Sequence, residues 1–184
     1  MTDSITLLDR LSQLLVDKAY LQGDFVLTSG KHSDHYFDCK RVTLDAEGLA
    51  VASELLVEKL RAAGIEAIGG LAIGADPIVA GTVVTSWRLG YPVQGFIVRK
   101  EPKKHGTSKW IEGSIPAGTR VAIVDDVVTS GGSIIKAIES TRAEGLEPVV
   151  AYTVVDREEG GAERIQREGG VPLEALVRYG ELPI

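Results

Sequence analysis

From Ala67 to the end of the chain one unit recurs. A short apolar run leads into a loop rich in glycine, acids or bases, and a segment with helical spacing follows. The runs are Ala67–Ile73, Val93–Val98, Arg120–Val124, Pro148–Val155 and Leu173–Tyr179. The helical segments are Pro77–Leu89, with Asp76 as its cap and Pro77 at its first position, then Gly132–Glu144 and Gly161–Glu168. Only the polar stretch from 99 to 119 departs from the rhythm and reads as a long loop. The apolar runs are nearly continuous, so each strand needs cover on both faces. Strands joined through helices run parallel. The expected fold is therefore α/β: a central, mostly parallel sheet with helices on both faces.

Ahead of this lie Leu7, Leu8, Leu11, Leu14, Leu15 and Ala19, spaced as one face of a helix with Asp3 and Ser4 as candidate caps. Phe25–Leu27 and Tyr36–Cys39 flank a turn-rich centre and read as a hairpin. Asp45 through Ala63 forms a second helix, ended by Gly64. No linker, repeat or low-complexity segment divides the chain, so residues 1–184 are expected to form one domain.

Bulk properties exclude several classes of function. The net charge of −6 offers no broad basic face for nucleic acid. A single cysteine, Cys39, rules out an intrachain disulfide and a cysteine-based zinc site, and favours a reducing compartment. The opening MTDSITLLDR is acidic early and is no signal peptide, and Ala67–Ala75 and Pro77–Trp87 are too short to span a bilayer. A cytoplasmic protein without a membrane partner is expected.

In open parallel sheets ligands bind beyond the carboxyl ends of the strands. Here those ends read GADP, RKEPKKHG, DDVVTSGGS and DREEGG, so four loops should meet at one edge. In Val127–Ser133, Thr129, Ser130 and Ser133 supply hydroxyls, while Gly131 and Gly132 let the backbone turn its N–H groups inward. The N-terminus of the next helix points at the same place, which makes a phosphate cradle. No lysine follows the glycines, so it is not a Walker loop. Asp125 and Asp126 would repel a phosphate and should face ribose hydroxyls or a magnesium shell. The plainer alternative is a Gly-Gly helix start capped by one aspartate.

Val121–Ser133 resembles the phosphoribosyl pyrophosphate (PRPP) motif of the type I phosphoribosyltransferases. FVLTSGKHSDHYFD (25–38), RKEPKKHG (99–106) and VVDREEGG (154–161) are similar, in the same order, to three motifs of the orotate phosphoribosyltransferase family. This resemblance implies the type I phosphoribosyltransferase fold, with a small N-terminal hood of about residues 1–40, a core of about 41–184 and a mobile loop of about 99–114. It implies transfer of a phosphoribosyl group from PRPP to orotate with Mg2+, in a homodimer with shared active sites. It places Thr129, Ser130, Gly131, Gly132 and Ser133 on the 5-phosphate, with Val127 and Val128 in the same PRPP-binding stretch. Asp125 and Asp126 would serve the ribose hydroxyls and the ribosyl cation. Arg99, Lys100, Lys103 and His105 would hold pyrophosphate, with Lys103 catalytic and reaching in from the partner subunit. Tyr36, Phe37 and Thr129 would lie near orotate, and Arg157 would pair with its carboxylate. Magnesium would be held mainly by PRPP, with Asp125 or Asp126 the candidate protein ligand. The chain departs from other members at Thr28, Ile73 and Gly74, where some carry lysine, tyrosine and lysine.

The residues argue for the same chemistry independently. Displacing pyrophosphate from the anomeric carbon builds positive charge on the ribose and negative charge on the leaving group. Carboxylates beside the ribose and cations on the leaving oxygens, here Asp125-Asp126 and Lys103/His105, answer that need. Each piece has a plainer reading. RKEPKKHG can be a solvated loop, Arg157 can pair with Glu158 or Glu159, and strand alternation puts one of Tyr36 and Phe37 in the core. His32 and His35 sit in a hairpin rather than on a helix, which argues against zinc. Trp87 and Trp110 read as packing residues. Two other functions compete: a phosphoribosyltransferase for a purine, which has no need of Arg157, and an RNA-binding regulator, which the net charge disfavours.

Overall fold

A computed structural model describes residues 6–26, 32–101 and 109–184. Helix α1 (Leu7–Leu14) is capped by Thr6, whose Oγ1 accepts from Asp9 N at 3.1 Å, and continues into a π-helical turn, Leu15–Ala19. The candidate caps Asp3 and Ser4 fall outside the described residues. Strands β1 (Tyr20–Val26) and β2 (His32–Phe37) form an antiparallel hairpin with a bulge between Gln22 and Phe25. The hairpin was expected further along the chain. The bulge at Gly23-Asp24 breaks the alternation by which β1 would be read. After β2 the chain turns at Cys39 into a short helix, α2 (Lys40–Thr43), which the sequence did not suggest. Helix α3 (Ala46–Ala63) starts one residue later than expected, with Asp45 as its cap, accepting from Gly48 N at 3.0 Å, and Gly64 ends it at φ 64° as expected.

The remaining elements are β3 (Ala67–Leu71), α4 (Ala75–Arg88), β4 (Gln94–Val98), β5 (Ile111–Glu112), β6 (Arg120–Val128), α5 (Gly132–Ala143), β7 (Glu147–Asp156), α6 (Gly161–Arg164) and β8 (Leu173–Arg178). They form a six-stranded sheet of order β5-β4-β3-β6-β7-β8, parallel except for β5. Its two faces divide the apolar residues of each strand. In β6, Ala122 and Val124 join the core beneath α1, α3 and α4, while Val121 and Ile123 join the core beneath α5. This is why the strand reads as a solid apolar run.

Three boundaries differ from expectation where the site lies. Strand β6 runs through both aspartates to Val128, because Asp125 and Val127 still pair with Thr153 and Val155 of β7. Helix α4 begins at Ala75, so Asp76 lies in its first turn instead of capping it; Gly74 is the cap and makes no side-chain bond. The stretch from 99 to 119, expected to be loop throughout, holds a short strand, since Ile111–Glu112 pairs with β4 and Arg99 N donates to Trp110 O at 2.8 Å. A strand of two residues is below what periodicity can register.

Candidate active site

Asp125, Val127 to Ser133 and Ile134 line a cavity of about 170 Å³ at the carboxyl end of β6, room for much more than one water. Gly131, at φ 77°, turns the chain into α5 so that the helix N-terminus faces this cavity. The cradle is braced from behind by the segment that follows β7. Gly161 lies against the Thr129 carbonyl and the Val128 side chain so closely that a Cβ there would overlap both. Arg164 Nη1 donates to Ser130 O at 3.2 Å.

The strand carries its aspartates into the site with different surroundings. Both are buried. Asp125 Oδ1 accepts from Asp126 N at 3.0 Å, and its residue lines the cradle cavity. Asp126 Oδ1 accepts from Val127 N at 3.1 Å, and its Oδ2 accepts from Lys40 Nζ at 2.8 Å. Burial, followed by the neighbouring Asp126 charge, pushes the Asp125 carboxyl up to about 7, and Lys40 works in the opposite direction. Gly74 faces the pair: a Cβ there would overlap Asp125 Oδ1 and stand 2.7 Å from Asp126 Oδ1. The departure at position 74 thus lies against the acid pair, and Ile73 beside it is exposed. Cys39 is buried, and burial with the Asp126 charge holds its thiol well above the ordinary range, which suits packing and not nucleophilic attack.

The expected pyrophosphate residues are placed only in part. Lys103, His105 and Thr28 lie outside the described residues. Arg99 pairs with Glu112 across β4 and β5. The Lys100 carbonyl accepts from Lys136 Nζ of α5 at 2.7 Å. Neither Arg99 nor Lys100 lines the cradle cavity.

The structure separates Tyr36 from Phe37, the two aromatics expected near orotate. Phe37 is buried in the core, edge-on to Tyr179 with ring centroids 6.0 Å apart. It is a packing residue here, as strand alternation requires of one of the two. Tyr36 is exposed and lies 5.5 Å from Phe25, ring to ring. Arg157 follows β7, its N donating to Val128 O at 2.9 Å and its guanidinium 4.8 Å from the Tyr179 ring centre. Its Nη2 meets Glu159 at 3.2 Å, as the plainer reading anticipated. Yet Nε is buried with no hydrogen-bond partner among the described residues. A buried donor left open beside a ligand site calls for an acceptor. Lys40 is the functional candidate that sequence reasoning missed. It precedes Asp126 by 86 positions, and nothing local marks it.

Residues 78–168 match the family model of the phosphoribosyl transferase domain. The chain is 42% identical over 176 residues to an orotate phosphoribosyltransferase of Rhodopseudomonas palustris (strain BisB5), covering 94% of each chain. It is 41% identical over 177 residues to one of Aquifex aeolicus (strain VF5), covering 95% of this chain and 96% of that one. Its fold superposes with a TM-score of 0.83 on Mycobacterium tuberculosis H37Rv orotate phosphoribosyltransferase in complex with PRPP, at 30% identity over 97% of this chain and 100% of that one. Similar over nearly its whole length to these proteins, the chain belongs to the orotate phosphoribosyltransferase family.

Proposed function

We propose that the chain transfers the 5-phosphoribosyl group of PRPP to orotate, giving orotidine 5′-monophosphate and pyrophosphate, a step of pyrimidine biosynthesis. The observation that carries this reading is the pairing of two strand ends. β6 brings a buried acid pair to a phosphate-sized cradle, and β7 brings Arg157, with Nε unpaired among the described residues, beside it. Val127 to Ser133 hold the 5-phosphate through backbone N–H groups and hydroxyls. Asp125 faces the ribose; a carboxyl poised near neutrality gains charge as the ribose becomes cationic. Arg99, Lys100, Lys103 and His105 take the pyrophosphate, Tyr36 lies against the orotate ring, and Arg157 holds its carboxylate.

The acid pair offers oxygen donors of the kind magnesium accepts, and no group of three or more His, Cys, Asp or Glu stands together among the described residues. This donor set fits an ion held mainly by substrate phosphates, with Asp125 or Asp126 as the protein ligand. When bound, magnesium would offset charge on the leaving pyrophosphate. We also place the protein in the cytoplasm, on its single buried thiol. No helix among the described residues is long and apolar enough to cross a membrane.

Orotate consumption, followed by absorbance with and without PRPP and magnesium and against a panel of purines, tests the reading. Turnover of a purine in place of orotate would overturn it. Arg157→Ala is expected to raise the orotate KM about 30-fold, the loss of roughly 2 kcal/mol from a charged hydrogen bond. An unchanged orotate KM would remove Arg157 from the site.

The homodimer is favoured by α4, where Val84 and Trp87, one turn apart, are 61% and 76% exposed. Trp87 was expected to be a packing residue, and in the single chain it is not. If Lys103 of the partner subunit completes the site, mixing Lys103→Ala with Asp125→Asn protein regenerates one intact site per heterodimer. Activity then recovers to roughly a quarter of wild type, half the dimers being mixed with one good site each. No recovery after verified subunit exchange would rule out a shared site.

A further inference from the structure

Within the proposed phosphoribosyl reading, we infer that Lys40 is a positioning residue of the PRPP site, orienting Asp126 and offsetting the charge of the acid pair against an anionic substrate. Asp126 is almost wholly buried, with 5% of its side chain exposed, whereas Lys40 retains 43%, so its ammonium stands between the pair and solvent. Both oxygens of Asp126 are directed: Oδ1 by Val127 N, Oδ2 by Lys40 Nζ. The aspartate is thereby held in a single orientation before any ligand arrives, while Asp125 faces the cradle. Preorganised groups of this kind need no reordering when substrate binds.

Charge balance favours the same role. PRPP carries phosphate and pyrophosphate, and two adjacent carboxylates repel both. Position 74, in the loop after β3, packs against the pair and is glycine, so it supplies no compensating cation. Among the described residues Lys40 is the one cation paired with either aspartate. Lys40 is carried by the short segment that links the hairpin to α3. The turn after β2 makes α2, Lys40 N donates weakly to Asp38 Oδ1 at 3.3 Å, and α2 leads directly to α3.

The test compares Lys40→Met, which keeps the length of the side chain without its charge, with Lys40→Arg. PRPP affinity is read by titration calorimetry and both substrate KM values by steady-state kinetics. For Lys40→Met the PRPP Kd and KM should rise at least tenfold (about 1.4 kcal/mol), with orotate KM and kcat within about threefold. Lys40→Arg should restore PRPP binding to within about threefold of wild type. In an Asp126→Asn background the Lys40→Met effect should largely vanish, since the charge it offsets is gone. Lys40→Met protein that binds PRPP as wild type overturns the inference. So does equal loss for both substrates, or a Lys40→Arg protein as weak as Lys40→Met. If Lys40→Met does not fold, Lys40→Gln is judged by the same criteria. Wild-type protein that neither binds PRPP nor consumes orotate overturns the functional reading and this inference with it; an active wild type with an indifferent Lys40 overturns the inference alone.

Discussion

Asp125→Asn is expected to lower turnover about 10³-fold while making the ligand-free protein more heat-stable at pH 8. The two effects share one cause. Burial and the neighbouring Asp126 hold the Asp125 carboxyl at about 7, against 3.8 for an ordinary aspartate. Below about pH 4 the group is protonated in both folded and unfolded chains and has no influence on pH dependence. Between about 4 and 7 the unfolded chain gives up its proton and the folded chain retains it, so stability falls as pH rises. Above about 7 the folded state bears the whole cost of a buried charge, with an upper bound of roughly 4 kcal/mol. Asparagine keeps the shape and cannot ionise. Its gain in thermal midpoint should be absent near pH 4 and reach about 3–6 °C at pH 8, taking one to two kcal/mol as the realised part. Thermal melts of both proteins across that range decide the matter. Parallel melting curves would mean that Asp125 is not strained by burial. Full activity of the variant would mean that its charge is not what the ribose requires.

Gly161→Ala is expected to raise the PRPP KM about 100-fold. No residue assigned to PRPP is altered by it. Gly161 opens α6 directly behind the cradle, and a Cβ there would overlap the Thr129 carbonyl and stand 2.5 Å from Val128 Cγ1. Neither partner is the free end of a flexible side chain. Val128 is buried, and Thr129 belongs to the loop that must grip phosphate. The loop must move by the best part of an ångström, a displacement that hydrogen bonds to phosphate do not tolerate. Overpacking should also cost about 1–3 kcal/mol of stability. Gly160→Asn is the matched control. Gly160 has φ 84°, which asparagine adopts more readily than other side chains, and nothing lies within 4 Å of a Cβ there. Its PRPP KM should stay within about threefold of wild type. A Gly161→Ala enzyme with a normal PRPP KM would show that the cradle does not depend on this brace.

Much of the sheet and of the cradle was legible from local pattern. Solid apolar runs, the stop at Gly64 and the order of strand and helix are properties of neighbours along the chain, so periodicity registers them. Elements that end for tertiary reasons were misplaced. β6 extends through Asp125 and Asp126 because β7 continues to pair with it, and two acids in a row look like a strand end to any local reading. β5 exists because β4 offers it an edge. The hairpin slipped because of a bulge that shifts its register.

The candidate site divides along the same line. The sequence by itself determined that an acid pair, a hydroxyl-rich glycine loop and an arginine stand at strand ends on one sheet edge, because alternation of strand and helix puts these loops at the carboxyl ends of parallel strands; that β6 and β7 lie side by side was decided by the fold. Only the tertiary structure decided which aspartate faces the cradle, that Phe37 is core while Tyr36 is open, that Gly74 packs against the acid pair, and that Lys40 reaches Asp126 across 86 positions. Those are contacts between elements distant in sequence, set by how a sheet and its helices pack, and no local period encodes them.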